Sequence, residues 1–87
     1  MMYLFIRSYL TLFVLRLLKE RPMYGYEILQ AVEELSQGRH VLKYDALYPL
    51  LRELEKNEII GGEWEASTEG PPRKRFFLLP KGEKVFD

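Results

Sequence analysis

Several residue types on which common protein chemistries depend are missing from this chain or rare in it. There is no cysteine, which excludes disulfides, thiol nucleophiles and cysteine-based metal sites, and which fits the reducing cytoplasm where we expect the protein to reside. The single histidine, His40, has no neighbouring aspartate or second histidine at ligand spacing. No catalytic triad or carboxylate pair can be nominated either. We therefore expect no metal, no cofactor and no enzyme activity.

A net charge is missing as well, because 13 Lys and Arg residues balance 13 Asp and Glu residues. DNA-binding domains are usually clearly basic, so this balance counts against a nucleic-acid partner. The charges are unevenly spread, however: cations lie at residues 39–43, 52 and 73–75, whereas many of the acids lie at residues 33–34 and 53–69. Local potential steers an anionic partner more strongly than the total charge does.

Long apolar runs are scarce. Residues 1–18 are strongly apolar, but Arg7 and Arg16 interrupt them, and fewer than 18 consecutive apolar residues are available to cross a bilayer. No small-residue cleavage site follows, so we expect neither a signal peptide nor a membrane partner. A weaker alternative is a peripheral membrane adaptor anchored by residues 1–5.

The 87 residues, 47% of them hydrophobic, suffice for one modest core, so a single domain is expected over residues 1–87. A first helix is predicted from about Leu4 or Ser8 to Lys19, ended by Pro22. Its main apolar stripe consists of Ile6, Leu10, Phe13, Val14, Leu17 and Leu18. A second apolar line on roughly the opposite side consists of Phe5, Leu12 and Leu15. The helix therefore needs a second partner, such as another subunit.

A second helix is predicted from around Tyr24, where Glu27 can fold back as in a capping box, to near Gly38. Its expected buried face consists of Ile28, Val32 and Leu35. A third helix is predicted to start at the N-cap residue Asp45, with Pro49 in about its first turn. Its expected buried face consists of Leu47, Leu50, Leu51 and Leu54, at positions i, i+3, i+4 and i+7.

Past residue 57 the pattern changes to two short apolar and aromatic runs, residues 59–65 and 73–79, around the turn-rich segment 66–72. These runs predict a β-hairpin, after which residues 80–87 have room for only a turn or two of helix. Three helices followed by a hairpin indicate a mainly α fold with a small β-hairpin, the winged helix-turn-helix. In such folds the third helix lies in the major groove and the hairpin, or wing, reaches the flanking DNA backbone.

Side chains suited to DNA occupy the expected outer surfaces of these elements. Inward leucines leave Tyr48 and Arg52 on the outer side of the third helix, and both can hydrogen-bond phosphate or base edges. The alternative is that the outer side of this helix is an ordinary charged surface exposed to solvent, which would show the same pattern. On the wing, two prolines stiffen the approach to three consecutive cations at residues 73–75, for which phosphate contact is the natural use. Strand alternation turns two of the three toward DNA, and the third can cover apolar surface with its stem.

Five short motifs occur along the chain in a fixed order. They are Leu17 and Leu18 before Pro22, Tyr24-Gly25-Tyr26-Glu27-Ile28, Leu47-Tyr48-Pro49 with Leu51, Leu54 and Glu55, Pro71-Pro72-Arg73 before Phe76-Phe77, and Lys81-Gly82. In this order and spacing, the stretch from Leu15 to Asp87 resembles PadR-like transcriptional regulators.

The resemblance implies a sequence-specific double-stranded DNA-binding regulator that acts as a homodimeric repressor, with the third helix at the operator and the wing on the backbone. The expected DNA-binding residues are Lys43, Tyr44, Asp45, Tyr48, Arg52, Arg73, Lys74 and Arg75. Where the family usually has Gly-Thr before Leu-Tyr-Pro, this chain has Asp45-Ala46. The change removes a hydroxyl that could touch phosphate and adds a carboxylate, which can cap the helix or accept from a cytosine amino group.

PadR-like proteins usually carry a C-terminal helical segment that makes the dimer and contributes to effector binding, and the sequence here ends at Asp87. We therefore expect the dimer contact on the first helix. Its expected contact residues are Leu4, Phe5, Leu12 and Leu15. A small-molecule effector is compatible with the resemblance, but no residue argues for one.

Five aromatic residues are expected in the core rather than in a ligand cage, namely Tyr24, Tyr26, Trp64, Phe76 and Phe77. The alternative function is a winged-helix protein-protein interaction module without DNA binding, which would suit a neutral chain with an exposed apolar helix.

Overall fold

Three α-helices precede an antiparallel hairpin and a short terminal helix. The computed structural model describes residues 2–39 and 42–86, and the side chains of residues 9–39 and 42–85, so that His40 lies outside the described residues. The elements are α1 (Met2–Glu20), β1 (Met23–Tyr24), α2 (Gly25–Leu35), α3 (Tyr44–Lys56), β2 (Ile60–Glu65), β3 (Arg73–Leu78), α4 (Pro80–Glu83) and a 3₁₀ helix (Lys84–Phe86). This order confirms the predicted winged helix-turn-helix.

The sheet has one strand more than the sequence predicted. Its order is β1-β3-β2, with both pairs antiparallel, so that the two-residue strand β1 adds to the outer edge of the predicted hairpin. Met23 lies opposite Phe76 on one side of β3, and Gly62 lies opposite Phe76 on the other. Strand β1 leads directly into α2, and it therefore ties the wing to the start of that helix.

The core lies between the helices and the inner face of the sheet. Its buried apolar residues are Val14, Leu15, Leu17, Leu18, Met23, Ile28, Val32, Leu47, Leu50, Leu51, Leu54, Ile60 and Phe76. All four predicted leucines of α3 are among them. Leu35, predicted to be buried, is 64% exposed because it is the last residue of α2, where the helix leaves the core.

Helix α1 is covered on two sides by its own chain, because it packs against both α2 and β3. The prediction that Leu15 contacts another subunit is therefore wrong, since its side chain is 2% exposed within the single chain. Leu12 remains half exposed, and the side chains of Leu4 and Phe5 lie outside the described residues. Within residues 2–39 and 42–86, no helix is both long and apolar enough to span a membrane.

The start of α2 has the predicted capping contact. The Tyr24 backbone N–H donates to Glu27 Oε1 at 2.8 Å, and Arg21 lies 3.1 Å from the other carboxylate oxygen. The hydrogen bond from Tyr24, followed by the charge of Arg21, lowers the pKa of Glu27 below its ordinary value. The carboxylate therefore stays ionised and satisfies one of the free N–H groups at the helix start.

Helix α3 begins two residues earlier than an N-cap at Asp45 predicts. Its N-cap is Lys43, and Asp45 lies in the first turn, where its carboxylate favours the positive end of the helix dipole but does not cap it. Pro49 lies inside the helix, in the second turn and not the first. Because proline has no N–H, the carbonyl of Asp45 lacks its usual partner within the helix.

The C-terminal turn of α3 is closed by a residue in the left-handed region. Glu58 has φ of 59°, its N–H donates to the Glu55 carbonyl at 3.0 Å, and the N–H of Ile59 donates to the Leu54 carbonyl at 2.9 Å. This pair of hydrogen bonds is the Schellman motif, in which glycine is the usual residue at the position of Glu58.

We expect the substitution Glu58→Gly to raise the free energy of unfolding by about 0.5–1 kcal/mol, because glycine adopts this backbone without a Cβ clash. The matched control is Lys56→Gly within the helix, which should lower it by about 1 kcal/mol. Urea titrations of both variants measure the two shifts. A loss of stability in both would contradict the assigned role of Glu58.

Candidate nucleic-acid interface

Helix α3 has one buried face and one open face. Leu47 is fully buried, and the three other leucines of its stripe are almost so, which anchors the helix against the core. On the opposite side, Tyr48 is 46% exposed and Arg52 is exposed. The helix therefore presents a tyrosine and an arginine to solvent on a rigid base.

Two tyrosines pair on the open face of α3. The rings of Tyr44 and Tyr48 stack with centroids 5.1 Å apart, and both lie over Gly25 at the start of α2. Partial burial, with the neighbouring Tyr48 as a smaller cause, raises the pKa of Tyr44 above its ordinary value. The Tyr44 hydroxyl is therefore protonated at neutral pH and can donate a hydrogen bond to a phosphate or a base edge.

The cations of the wing lie on two faces of β3. Residues that alternate along a strand face opposite sides, so Lys74 shares the inner face with Phe76, and Arg73 shares the outer face with Arg75. Lys74 Nζ lies 2.8 Å from Glu55 Oε1 of α3, and both side chains are about three-quarters buried. The inner cation of the wing is thus paired with a carboxylate of α3.

The outer face of the wing holds a second charged network. Arg75 Nε lies 3.1 Å from Glu65 Oε2, and its terminal nitrogen donates to the Tyr24 hydroxyl at 2.8 Å. That hydroxyl in turn donates to the Glu65 carboxylate. Arg73 lies over the Tyr24 ring, 4.5 Å from its centroid, and has no carboxylate partner among the described residues.

A groove of about 410 Å³ separates the open face of α3 from the wing. Its α3 wall includes Tyr44, Tyr48 and Arg52, and its wing wall includes Trp64 and Arg73, with Tyr24 and Tyr26 stacked at the start of α2. Aromatic rings and guanidinium groups suit the sugars and phosphates of a nucleic-acid strand. The groove is therefore the candidate nucleic-acid interface.

The structure brings five of the eight predicted DNA-binding residues to this groove. These are Tyr44, Tyr48, Arg52, Arg73 and Lys74. Lys43 and Asp45 are exposed at the start of α3 but do not line the groove, and Arg75 of the wing does not line it either. All eight assignments remain predictions, because the fold alone does not show which of these residues contact DNA.

Three groove residues were not expected at a functional site. Trp64 is 69% exposed and Tyr26 is exposed, so the expectation that both belong to the core is wrong. Phe76, by contrast, is buried as expected. The sequence marks Glu55 only as part of a motif. Glu55 and Lys74 are far apart in the chain, so their spacing gives no sign of the ion pair. The signal for Trp64 lay in its position opposite the wing cation Lys74, near the end of the hairpin.

No group of three metal-binding side chains occurs within the part of the chain that the structure describes. The chemistry available at the groove is hydrogen bonding, charge and stacking. These are the means by which proteins position and recognise nucleic acids.

Comparisons with known proteins bear on the whole fold. Residues 14–87 match a family model described as the transcriptional regulator PadR-like family. A PadR-like transcription factor from Bacteroides fragilis is 34% identical, with a TM-score of 0.84 over 95% of this chain and 78% of that chain. A transcriptional regulator from Clostridium thermocellum is 32% identical, with a TM-score of 0.84 over 93% of this chain and 78% of that chain.

A third structure is that of Bacillus subtilis PadR in complex with operator DNA. It is 22% identical, with a TM-score of 0.78 over 87% of this chain and 43% of that chain. At this identity the likeness is one of fold.

Proposed function

The chain belongs to the PadR-like family of transcriptional regulators, and we propose that it binds double-stranded DNA in a sequence-specific way and represses transcription as a cytoplasmic homodimer. The observation that carries this proposal is the exposed outer face of α3, which presents Tyr48 and Arg52 beside the wing. Helix α3 enters the major groove, and the wing follows the adjacent backbone.

Local charge supports this assignment despite the zero net charge. Arg52 and Arg73 lie on the two walls of the groove, and neither has a carboxylate partner among the described residues. A guanidinium can bind guanine or a phosphate through two parallel hydrogen bonds. If each subunit neutralises about four phosphates, the logarithm of the affinity of a dimer falls with the logarithm of salt concentration at a slope near −7.

The homodimer is proposed from the exposed apolar side chains of α1. Tyr9 is 68% exposed and Leu12 is 51% exposed, on a helix whose other sides pack against the core. A two-fold dimer that reads two half-sites places its recognition helices about one helical turn of DNA, roughly 34 Å, apart. Light scattering at micromolar concentration should give the mass of a dimer, and the mass of a monomer would remove this part of the proposal.

Selection of bound sequences from a random duplex pool tests the proposal as a whole. We expect enrichment of a roughly palindromic site whose half-sites are about one helical turn apart, because a two-fold dimer reads the same sequence twice. Failure to enrich any sequence at low salt would contradict specific DNA binding. In that case the exposed α1 surface would favour the alternative of a protein-protein interaction module.

A further inference from the structure

The ion pair between Lys74 and Glu55 joins the wing to the recognition helix. Lys74 Nζ lies 2.8 Å from Glu55 Oε1, and the side chains are 25% and 26% exposed. The two residues come from β3 and α3, and both line the groove. The pair is therefore a direct link across the groove between its two walls.

The sequence leaves room for this link at Gly62. A Cβ atom on Gly62 would lie 2.5 Å from Lys74 Cε and 3.4 Å from a carboxylate oxygen of Glu55. The stem of Lys74 thus passes directly over the glycine on the neighbouring strand. Any side chain at this position would push the lysine away from its partner.

Two aromatic rings flank the ammonium group of Lys74. Its Nζ lies 5.6 Å from the centroid of Trp64 and 5.5 Å from that of Phe76. At these distances the faces of the rings attract the cation. Phe76 belongs to the core and Trp64 to the exposed edge of the wing, so the lysine is held between the interior and the groove.

A lysine held in this way is poorly placed to bind phosphate. To reach a phosphate it would leave Glu55 behind as an unpaired, largely buried carboxylate facing a polyanion. Withdrawing one partner from a partly buried pair is unfavourable, because the remaining charge loses its compensation. The pair should therefore persist when DNA binds.

Resting on the proposed function, we infer that Lys74 is a positioning residue which, with Glu55, holds the wing at a fixed distance from the recognition helix, and that it does not contact DNA phosphate. Arg52 and Arg73 make the phosphate contacts of the groove, because they are the two cations on its walls without a carboxylate partner among the described residues. This inference revises the assignment of Lys74 as a DNA-binding residue.

The first test compares salt dependence in two variants. The double substitution E55Q/K74Q removes one charge of each sign, and R73Q removes one cation from the adjacent position. For the dimer, we expect E55Q/K74Q to keep the wild-type salt slope while binding DNA about tenfold or more weakly, because the wing is no longer held in place. We expect R73Q to flatten the slope by about 1.8, which is the loss of one phosphate contact per subunit.

The second test needs no DNA. Trp64 is the only tryptophan of the chain and lies beside Lys74, so its fluorescence reports on this link. Acrylamide should quench Trp64 more strongly in E55Q/K74Q than in the wild type, and equally in R73Q and the wild type. The charge exchange E55K/K74E re-forms a pair of opposite charges and should return the quenching toward the wild-type value.

The outcomes separate the two proposals. A flatter slope in E55Q/K74Q, equal to that of R73Q, would show that Lys74 contacts phosphate and would overturn the inference. Unchanged Trp64 quenching in E55Q/K74Q would overturn it as well, because no link would have been lost. If the wild type shows no salt-dependent binding to duplex DNA, the proposed function fails, whereas the quenching comparison still decides whether the link exists.

Discussion

The double substitution R52A/R73A is expected to lower the affinity for a selected duplex roughly 10³-fold at 0.1 M salt and to flatten the salt slope of the dimer from near −7 to near −3.5. Each subunit loses the two groove cations that have no carboxylate partner among the described residues, and the dimer loses four. Fluorescence anisotropy of a labelled duplex over a series of salt concentrations measures both quantities.

The control for this experiment removes the same charge elsewhere. Lys81 and Lys84 lie in the terminal helical segment, are exposed and do not line the groove, so K81A/K84A should leave affinity and slope close to the wild-type values. All four side chains are exposed, and neither variant should change the free energy of unfolding by more than about 0.5 kcal/mol. Equal losses of DNA affinity in the two variants would mean that the groove has no special role in DNA binding.

The same variant separates the regulator from the alternative interaction module. In a DNA-binding regulator, R52A/R73A abolishes retention on DNA and leaves the mass of the dimer unchanged, since the exposed residues of α1 are untouched. In an interaction module that does not bind DNA, the wild type and R52A/R73A show the same lack of retention on DNA.

The substitution Leu47→Ala should lower the free energy of unfolding by about 2–5 kcal/mol. Leu47 is fully buried and is the first leucine of the α3 stripe, so the change leaves a cavity between the recognition helix and the core. For a domain of this size the melting temperature should fall by roughly 10–30 °C. Thermal unfolding followed by circular dichroism measures the shift.

Leu35→Ala is the matched control, because it makes the same chemical change at a leucine that is 64% exposed. Its effect on the free energy of unfolding should stay within about 0.5 kcal/mol. Similar losses at both positions would contradict the inward orientation of the α3 stripe, on which the open outer face depends.

The parts of the fold with a strong local period were predictable. The leucines of α3 repeat with the helical period. Because they are buried, Tyr48 and Arg52 must lie on the opposite, exposed side of the helix. The capping contact of Glu27 was also predictable, because its partner lies three residues away. Where structure depends on residues close in the chain, the sequence was a sufficient guide.

The errors involve partners that are distant in the chain. Strand β1 has only two residues, too few for a period, and exists because β3 supplies the hydrogen bonds. The apolar side chains on two sides of α1 predict a subunit contact at Leu15, but α1 packs against both α2 and β3 of the same chain and Leu15 is buried. The Lys74–Glu55 pair spans 19 residues and could not be read from charge spacing.

Nuclear magnetic resonance of the ¹⁵N-labelled protein, titrated with a duplex from the selected pool, shows which residues meet DNA. The largest amide shifts should fall on Tyr44, Tyr48, Arg52 and Arg73, with the Trp64 indole signal moving as well, while the amides of α4 stay in place. Shifts centred on α1 or α4, with the residues of α3 and the wing unmoved, would place the DNA elsewhere and contradict the assigned interface.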